Sequence, residues 1–190
     1  FGSMALCDGI CQGGGMHAVL PSREVIAASV ELTARAYGLD ALVCVASCDK
    51  ILPGMLMAAA RLDLPTVFVT GGLMSAGMYR GETLVASDVK EAIGRAARGS
   101  ITAAELAEIE EAACPGPGVC NMMGTANSMA IALETAGLSL PGNATVEAMH
   151  GAGRQDPSTE IRQANRNRWH MAERLCSKRQ LRHATAALFM

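Results

Sequence analysis

A thiol, a carboxylate and an amine stand side by side at Cys48-Asp49-Lys50, with Pro53-Gly54 close behind. Thiolates suit iron–sulfur clusters and zinc, whereas carboxylates suit Mg2+. One tripeptide therefore carries donors for two different metal centres. Taken alone, it reads first as a buried cysteine followed by a solvated Asp-Lys pair at a helix start. Further donors are Asp8, which opens a glycine-rich stretch, and Cys120, which closes Cys114-Pro115-Gly116-Pro117-Gly118-Val119-Cys120. Taken singly, Asp8 is a turn residue, Lys50 a surface lysine or a phosphate contact, and Cys120 a buried thiol. Two prolines and two glycines make the loop before Cys120 irregular and rigid, which is what a fixed ligand needs.

The elements around these residues are those of an α/β protein. Ala41 to Ala46 is an apolar strand, and Cys48-Asp49-Lys50 follows at its carboxyl end, where ligands collect in open α/β sheets. Cys44 lies within that strand as a small hydrophobe. Asp8 to Met16 forms a loop. Pro21-Ser22 is expected to open a helix from about Arg23 to Tyr37, stopped by Gly38. Pro53 suits the first turn of a helix over about 52–62. Thr66 to Thr70 is a second strand and ends at Gly71-Gly72. Residues 73–82 read as a mobile loop. Helices are expected over about 87–98, from the capping box Thr102-Ala-Ala-Glu105 to about Ala113, and from Thr125 to Ala136. Pro141-Gly142-Asn143 turns the chain. This rhythm predicts a three-layer α/β/α fold with a mainly parallel sheet.

Bulk properties set the frame. The 190 residues are half hydrophobic but only 3% aromatic, so one domain can bury a core of closely packed helices on a sheet. A net charge of −2 gives no whole-chain case for nucleic acid or an acidic membrane. No apolar run approaches the ~18–20 residues of a spanning helix, and no signal peptide is visible. Seven cysteines in such a chain fit reduced, cytoplasmic thiols with some metal ligation better than a disulfide scaffold. Motif residues begin by Cys7 and residue 1 is Phe, so the native protein is expected to start upstream. A main domain over 1–150 is followed by a segment of different composition. Residues 151–190 hold eight of the sixteen Lys and Arg with only three acidic residues. That segment reads as a basic surface helix around Trp169 to Leu181, as an arm for an acidic partner, or as a departure from the parent sequence.

Three stretches together carry a resemblance. Asp8-Gly9-Ile10, Gly15-Met16 and Leu20-Pro21-Ser22-Arg23-Glu24-Val25-Ile26-Ala27 resemble the opening signature of the dihydroxy-acid dehydratases. That family also holds 6-phosphogluconate and sugar-acid dehydratases. Cys48-Asp49-Lys50-Ile51-Leu52-Pro53-Gly54-Met55 is similar to its central signature. Cys114 to Cys120, continuing through Gly124-Thr125-Ala126-Asn127-Ser128-Met129, resembles its third. Order and spacing agree from about residue 7 to residue 147.

The resemblance implies an N-terminal domain of a larger hydro-lyase. Cys48 and Cys120 would bind an iron–sulfur cluster, 2Fe–2S or 4Fe–4S by subfamily, with a further cysteine upstream. Asp8 and Asp49 would bind Mg2+, and Lys50 would be carbamylated into a third anionic ligand. The catalytic serine, and another Mg2+-binding glutamate, would lie in a C-terminal domain after residue 190, so residues 1–190 alone would be inactive. The reaction removes water from a 2,3-dihydroxy carboxylate and gives a 2-oxo acid. An iron with an open position would act as a Lewis acid on the departing hydroxyl, and Mg2+ would stabilise the charge left on the substrate. A homodimer with no nucleic-acid or membrane partner is also implied.

Some positions depart from the pattern. The loop after Asp8 is one residue short and lacks a usual histidine, and Ala28 replaces a usual aspartate. Cys7 leans towards the sugar-acid branch, whereas Pro141-Gly142-Asn143 leans towards the dihydroxy-acid branch of valine and isoleucine synthesis. Arg23 reads as structural, Cys11 and Cys114 as neighbours of the site, and Thr125 and Asn127 as residues that could face the substrate. Two readings of other classes compete: a non-catalytic α/β module that holds a phosphate or sugar acid at its helix starts, and an electron-transfer protein.

Overall fold

A computed structural model describes residues 2–149. The expected basic helix around 169–181 lies outside the described residues. Helix α1 (Met16–Tyr37) leads into strand β1 (Leu42–Ala46), helix α2 (Ile51–Leu62) and strand β2 (Thr66–Thr70). Strands β3 (Gly77–Tyr79) and β4 (Glu82–Leu84) follow. Helices α3 (Ala86–Ala97), α4 (Ala103–Ala113) and α5 (Thr125–Thr135) complete the order.

The β1–α2–β2 unit is the parallel pairing that its sequence predicts. Leu42 to Ala46 lies beside Thr66 to Thr70 in register, with Cys44 opposite Phe68. The side chains alternate, as a strand period of two requires. Leu42, Cys44, Ala46 and Phe68 face the main core with Ile26 and Val30 of α1, Leu52 and Met55 of α2, and Ala130 and Leu133 of α5. Val43, Val45, Val67 and Val69 form a second cluster on the opposite face. Segment 138–139 extends the sheet by a single parallel bridge: Phe68 N–H donates to Leu138 O at 2.7 Å, and Ser139 Oγ to Phe68 O at 3.0 Å. The chain is therefore α/β, as expected.

Large aromatics are few, so the core depends on close helix approach. An added Cβ at Gly54 of α2 would stand 2.8 Å from Ile26 Cγ2 and 2.9 Å from Arg23 O of α1. Glycine at this position lets the two backbones meet. Both helices point their N-termini towards the carboxyl ends of β1 and β2, because each runs back alongside the strand it precedes or follows.

Two expectations are corrected. Helix α1 starts at Met16 rather than near Arg23, and Pro21 lies inside it. The sequence places Pro21-Ser22 just ahead of the helix. Pro21 instead sits in the second turn on an exposed side, where water can reach the carbonyl that loses its donor. Residues 73–82 are not simply a mobile loop. Gly77–Tyr79 pairs antiparallel with Glu82–Leu84. Arg80 and Gly81, with φ of 49° and 86°, make the turn between them. Positive φ at both central residues is the hairpin geometry that suits strand twist. Tyr79 Oη donates to Glu108 Oε2 at 2.8 Å and Arg80 Nη2 to Glu105 Oε1 at 3.3 Å, fastening the hairpin to α4. Three-residue strands carry too little periodicity to be read locally. The Thr102–Glu105 capping box stands as expected, with Glu105 N–H donating to Thr102 Oγ1 at 3.1 Å.

Candidate active site

The site is built on the exits of two adjacent parallel strands. After β1 the chain turns through Ser47 and Cys48, and Cys48 O accepts from both Ile51 N–H and Leu52 N–H at 3.2 Å. Those bonds open α2 immediately, so Cys48, Asp49 and Lys50 are held between a rigid strand and a rigid helix. Asp49 is buried, at 8% exposure, although it is a carboxylate. Lys50 explains how it tolerates that position: its Nζ lies 3.6 Å from Asp49 Oδ2. The same ammonium donates to Asp8 Oδ1 at 3.1 Å and Asp8 Oδ2 at 3.0 Å, across 42 residues of sequence. The glycine-rich loop therefore folds back onto the exit of β1.

This cluster shifts its members. Burial raises the Asp8 carboxyl, but the hydrogen bond with Asp49 and the Lys50 ammonium outweigh it and hold Asp8 below the usual carboxylate value. The Cys48 thiol moves the other way. Burial pushes it up to about 12, and the adjacent Asp49 carboxylate adds to the rise. Cys48 Sγ donates to Asp49 Oδ1 at 3.3 Å and lies 3.8 Å from Leu6 O. At neutral pH the thiol is protonated, and a soft metal ion would have to displace that proton.

Cys120 occupies the exit of the neighbouring strand. Val119 N–H donates to Gly72 O at 2.6 Å, and Met74 N–H donates to Val119 O at 2.8 Å, so the loop bridges the chain just beyond β2. Glycines make this approach possible. An added Cβ at Gly71 would lie 2.6 Å from Ser47 Oγ, and one at Gly118 would lie 2.6 Å from Met74 N. Cys120 is half-buried.

The other candidates fall into place around these. Cys7 and Cys11 are half-buried in the glycine-rich loop, where Cys11 N–H donates to Cys7 O at 2.9 Å. Cys114 is exposed at the end of α4. Arg23 is half-buried, and its Nε is buried without a hydrogen-bond partner. Thr125 is exposed, whereas Asn127 is 3% exposed and its amide turns inward. Its Nδ2 donates to Cys120 O at 2.6 Å and Met122 O at 2.7 Å. Asn121 was not singled out by sequence, because a single asparagine after a cysteine carries no spacing signal. Its side chain ties three backbone segments together through Ala86 N–H, Ala113 O and Ser75 O.

The donor chemistry divides in two. Asp8 and Asp49 offer hard oxygens around a countercharge, which suits a divalent cation such as Mg2+. Cys48 and Cys120 are free thiols on rigid supports, which suits a thiolate-bound centre. Among the described residues, no three His, Cys, Asp or Glu side chains converge as a ready-made metal group. The expected sets draw only two such side chains each from residues 2–149.

Comparison with known proteins identifies the family. A family profile described as dihydroxy-acid/6-phosphogluconate dehydratase N-terminal matches residues 1–187. The chain belongs to this family. Among family members, a protein of Halothermothrix orenii named dihydroxy-acid dehydratase is 53% identical over 151 residues, which is 79% of this chain and 27% of that protein. One of the same name from Methanobrevibacter smithii is 52% identical over 149 residues, 78% of this chain and 27% of that protein. A third, from Aquifex aeolicus, is 49% identical over 162 residues, 85% and 28% respectively. The chain thus spans little more than a quarter of the length of these relatives. No helix among the described residues is long and apolar enough to cross a membrane.

Proposed function

We propose that these residues are the metal-binding part of a hydro-lyase that dehydrates a 2,3-dihydroxy carboxylic acid to a 2-oxo acid. The dihydroxy-acid dehydratase reaction of branched-chain amino-acid synthesis is the version that the names of the relatives favour. The observation that carries the reading is the Lys50 ammonium between Asp8 and Asp49, with the Cys48 thiol 3.3 Å from Asp49. Hard and soft donors meet in one turn at a strand's carboxyl end.

In this reading Asp8 and Asp49 hold Mg2+ and Cys48 and Cys120 hold an iron–sulfur cluster. When bound, the two metals supply Lewis acidity at the departing hydroxyl and charge stabilisation at the substrate carboxylate. Lys50 has two states. As an ammonium it offsets the two carboxylates when no metal is present. As a carbamate it becomes an anionic ligand, and CO2 is the reagent that adds to its deprotonated amine. Burial of Asp49 and Lys50 keeps water from competing for these donors. The base that removes the C2 proton comes from elsewhere in the full-length protein, which is a homodimer in this proposal.

Iron and acid-labile sulfide, measured with the visible spectrum on anaerobically purified full-length protein, test the reading. Stoichiometric cluster that is lost in Cys48→Ala, with 2-oxo acid formed from a dihydroxy acid, is expected. A colourless, iron-free protein in both forms overturns it in favour of a ligand-binding module. Faster turnover of sugar acids than of dihydroxy acids would shift the substrate to the branch that Cys7 suggests.

A further inference from the structure

We propose that Asn127 and Asn121 are positioning residues that clamp the peptide of Cys120 and so fix where its thiol is presented. The inference rests on the reading of Cys120 as a cluster ligand only for its consequence, since the clamp itself is geometric.

Asn127 lies in the first turn of α5 and is buried. Both hydrogens of its Nδ2 are committed, to Cys120 O at 2.6 Å and to Met122 O at 2.7 Å. Two carbonyl acceptors fix the orientation of the amide, because the flipped form would set its oxygen against both. One rigid helix therefore holds the carbonyls on either side of residue 121. Asn121 secures the peptide between them. Its Oδ1 accepts from Ala86 N–H at 2.9 Å, at the start of α3. Its Nδ2 donates to Ala113 O at 2.8 Å, at the end of α4, and to Ser75 O at 3.3 Å. On the other side of Cys120, Val119 is bridged to the chain beyond β2. Residues 119 to 122 are thus tied to the segment after β2 and to α3, α4 and α5, while the Cys120 thiol stays free and half-buried. Helix and loop bonds alone need none of these amide contacts. Asn127 bonds the carbonyls of Cys120 and Met122 directly, and Asn121 anchors the residue between them to three other segments; a ligand must be held to within about 0.5 Å to act as one.

The test has one readout that needs no metal. In metal-free full-length protein, the alkylation rate of Cys120 is measured by peptide mass spectrometry, with buried Cys44 as the internal reference. Asn127→Ala is expected to speed Cys120 modification at least ~10-fold and leave Cys44 unchanged, since loss of a fixed partner frees the local backbone. Asn121→Ala is expected to act in the same direction. Asn143→Ala is the matched control. It removes another buried amide, bonded to Ser139 Oγ at 2.7 Å, with no bond to the Cys120 loop. Its Cys120 rate should stay within about twofold of the parent. Where Asn127→Ala does not fold, Asn127→Ser gives the same comparison. The second readout is loss of visible absorbance from the anaerobic, cluster-loaded protein under a chelator, expected to be faster in Asn127→Ala than in Asn143→Ala. An unchanged Cys120 rate in Asn127→Ala overturns the clamp, as does equal acceleration by Asn143→Ala. A raised rate combined with a cluster that survives Cys120→Ala upholds the clamp and overturns the ligand role of Cys120 instead.

Discussion

Asp8, Asp49 and Lys50 bring two negative charges and one positive charge to a partly buried cluster. Burial raises the Asp8 carboxyl, and the hydrogen bond with Asp49 together with the Lys50 ammonium brings it below its usual range. In Lys50→Met, the Asp8 carboxyl of the metal-free protein is therefore expected to titrate at higher pH than in the parent, measured by carboxyl carbon NMR. An unmoved titration would show that the hydrogen bond with Asp49 alone sets its value. Cys48 and Asp49 were legible in the sequence as adjacent donors, since adjacency needs no folding. The Asp8–Lys50 contact was not legible from the residues themselves, because 42 residues separate them and only the return of the glycine-rich loop closes the gap. The inward turn of Asn127 was likewise hidden, because a polar residue in the first turn of a helix can face either way.

At the scale of elements, the α1–α2 contact carries the exposed face of neither helix and the buried face of both. Gly54→Ala raises helix propensity by about 1 kcal/mol. It also drives a methyl into Ile26 Cγ2 at 2.8 Å and a backbone carbonyl at 2.9 Å, and the carbonyl cannot rotate away. Overpacking of that kind costs about 1–3 kcal/mol. The net expectation is a lower thermal midpoint, and a raised midpoint would mean that the helices separate at little cost. Strong local signals gave β1, β2, α2 and α4 nearly to the residue. The start of α1 and the β3–β4 hairpin escaped because their causes are positional. Pro21 is tolerated by its exposure, and the hairpin is held by Tyr79 and Arg80 on the glutamates of α4.

Across the whole molecule, the buried thiol of Cys44 links stability to pH. Burial pushes it from 9.0 up to about 12 in the folded state. The unfolded chain loses that proton first, so the stability contribution is complete below pH 9 and falls as pH rises towards 12. Each such thiol removes roughly 1 kcal/mol per pH unit across that window. Cys48, also raised to about 12, adds to the slope in metal-free protein. Urea unfolding between pH 8 and pH 11 should show the decline, by about these amounts per thiol, and Cys44→Ala should flatten it. An equal slope in Cys44→Ala would place the alkaline loss elsewhere.

The sequence by itself determined the α/β class, the strand-exit position of Cys48-Asp49-Lys50 and the irregular course of the loop before Cys120. Each follows from local causes: apolar runs, caps, and the narrow backbone choices of proline and glycine. Tertiary structure alone decided that Lys50 joins Asp8 to Asp49, that the Cys120 loop docks beside the end of β2, and that two asparagines hold it there. The first two of these join segments far apart in the chain. They exist because the parallel pairing of β1 and β2 brings their exits, and the loops that leave them, to one edge of the sheet.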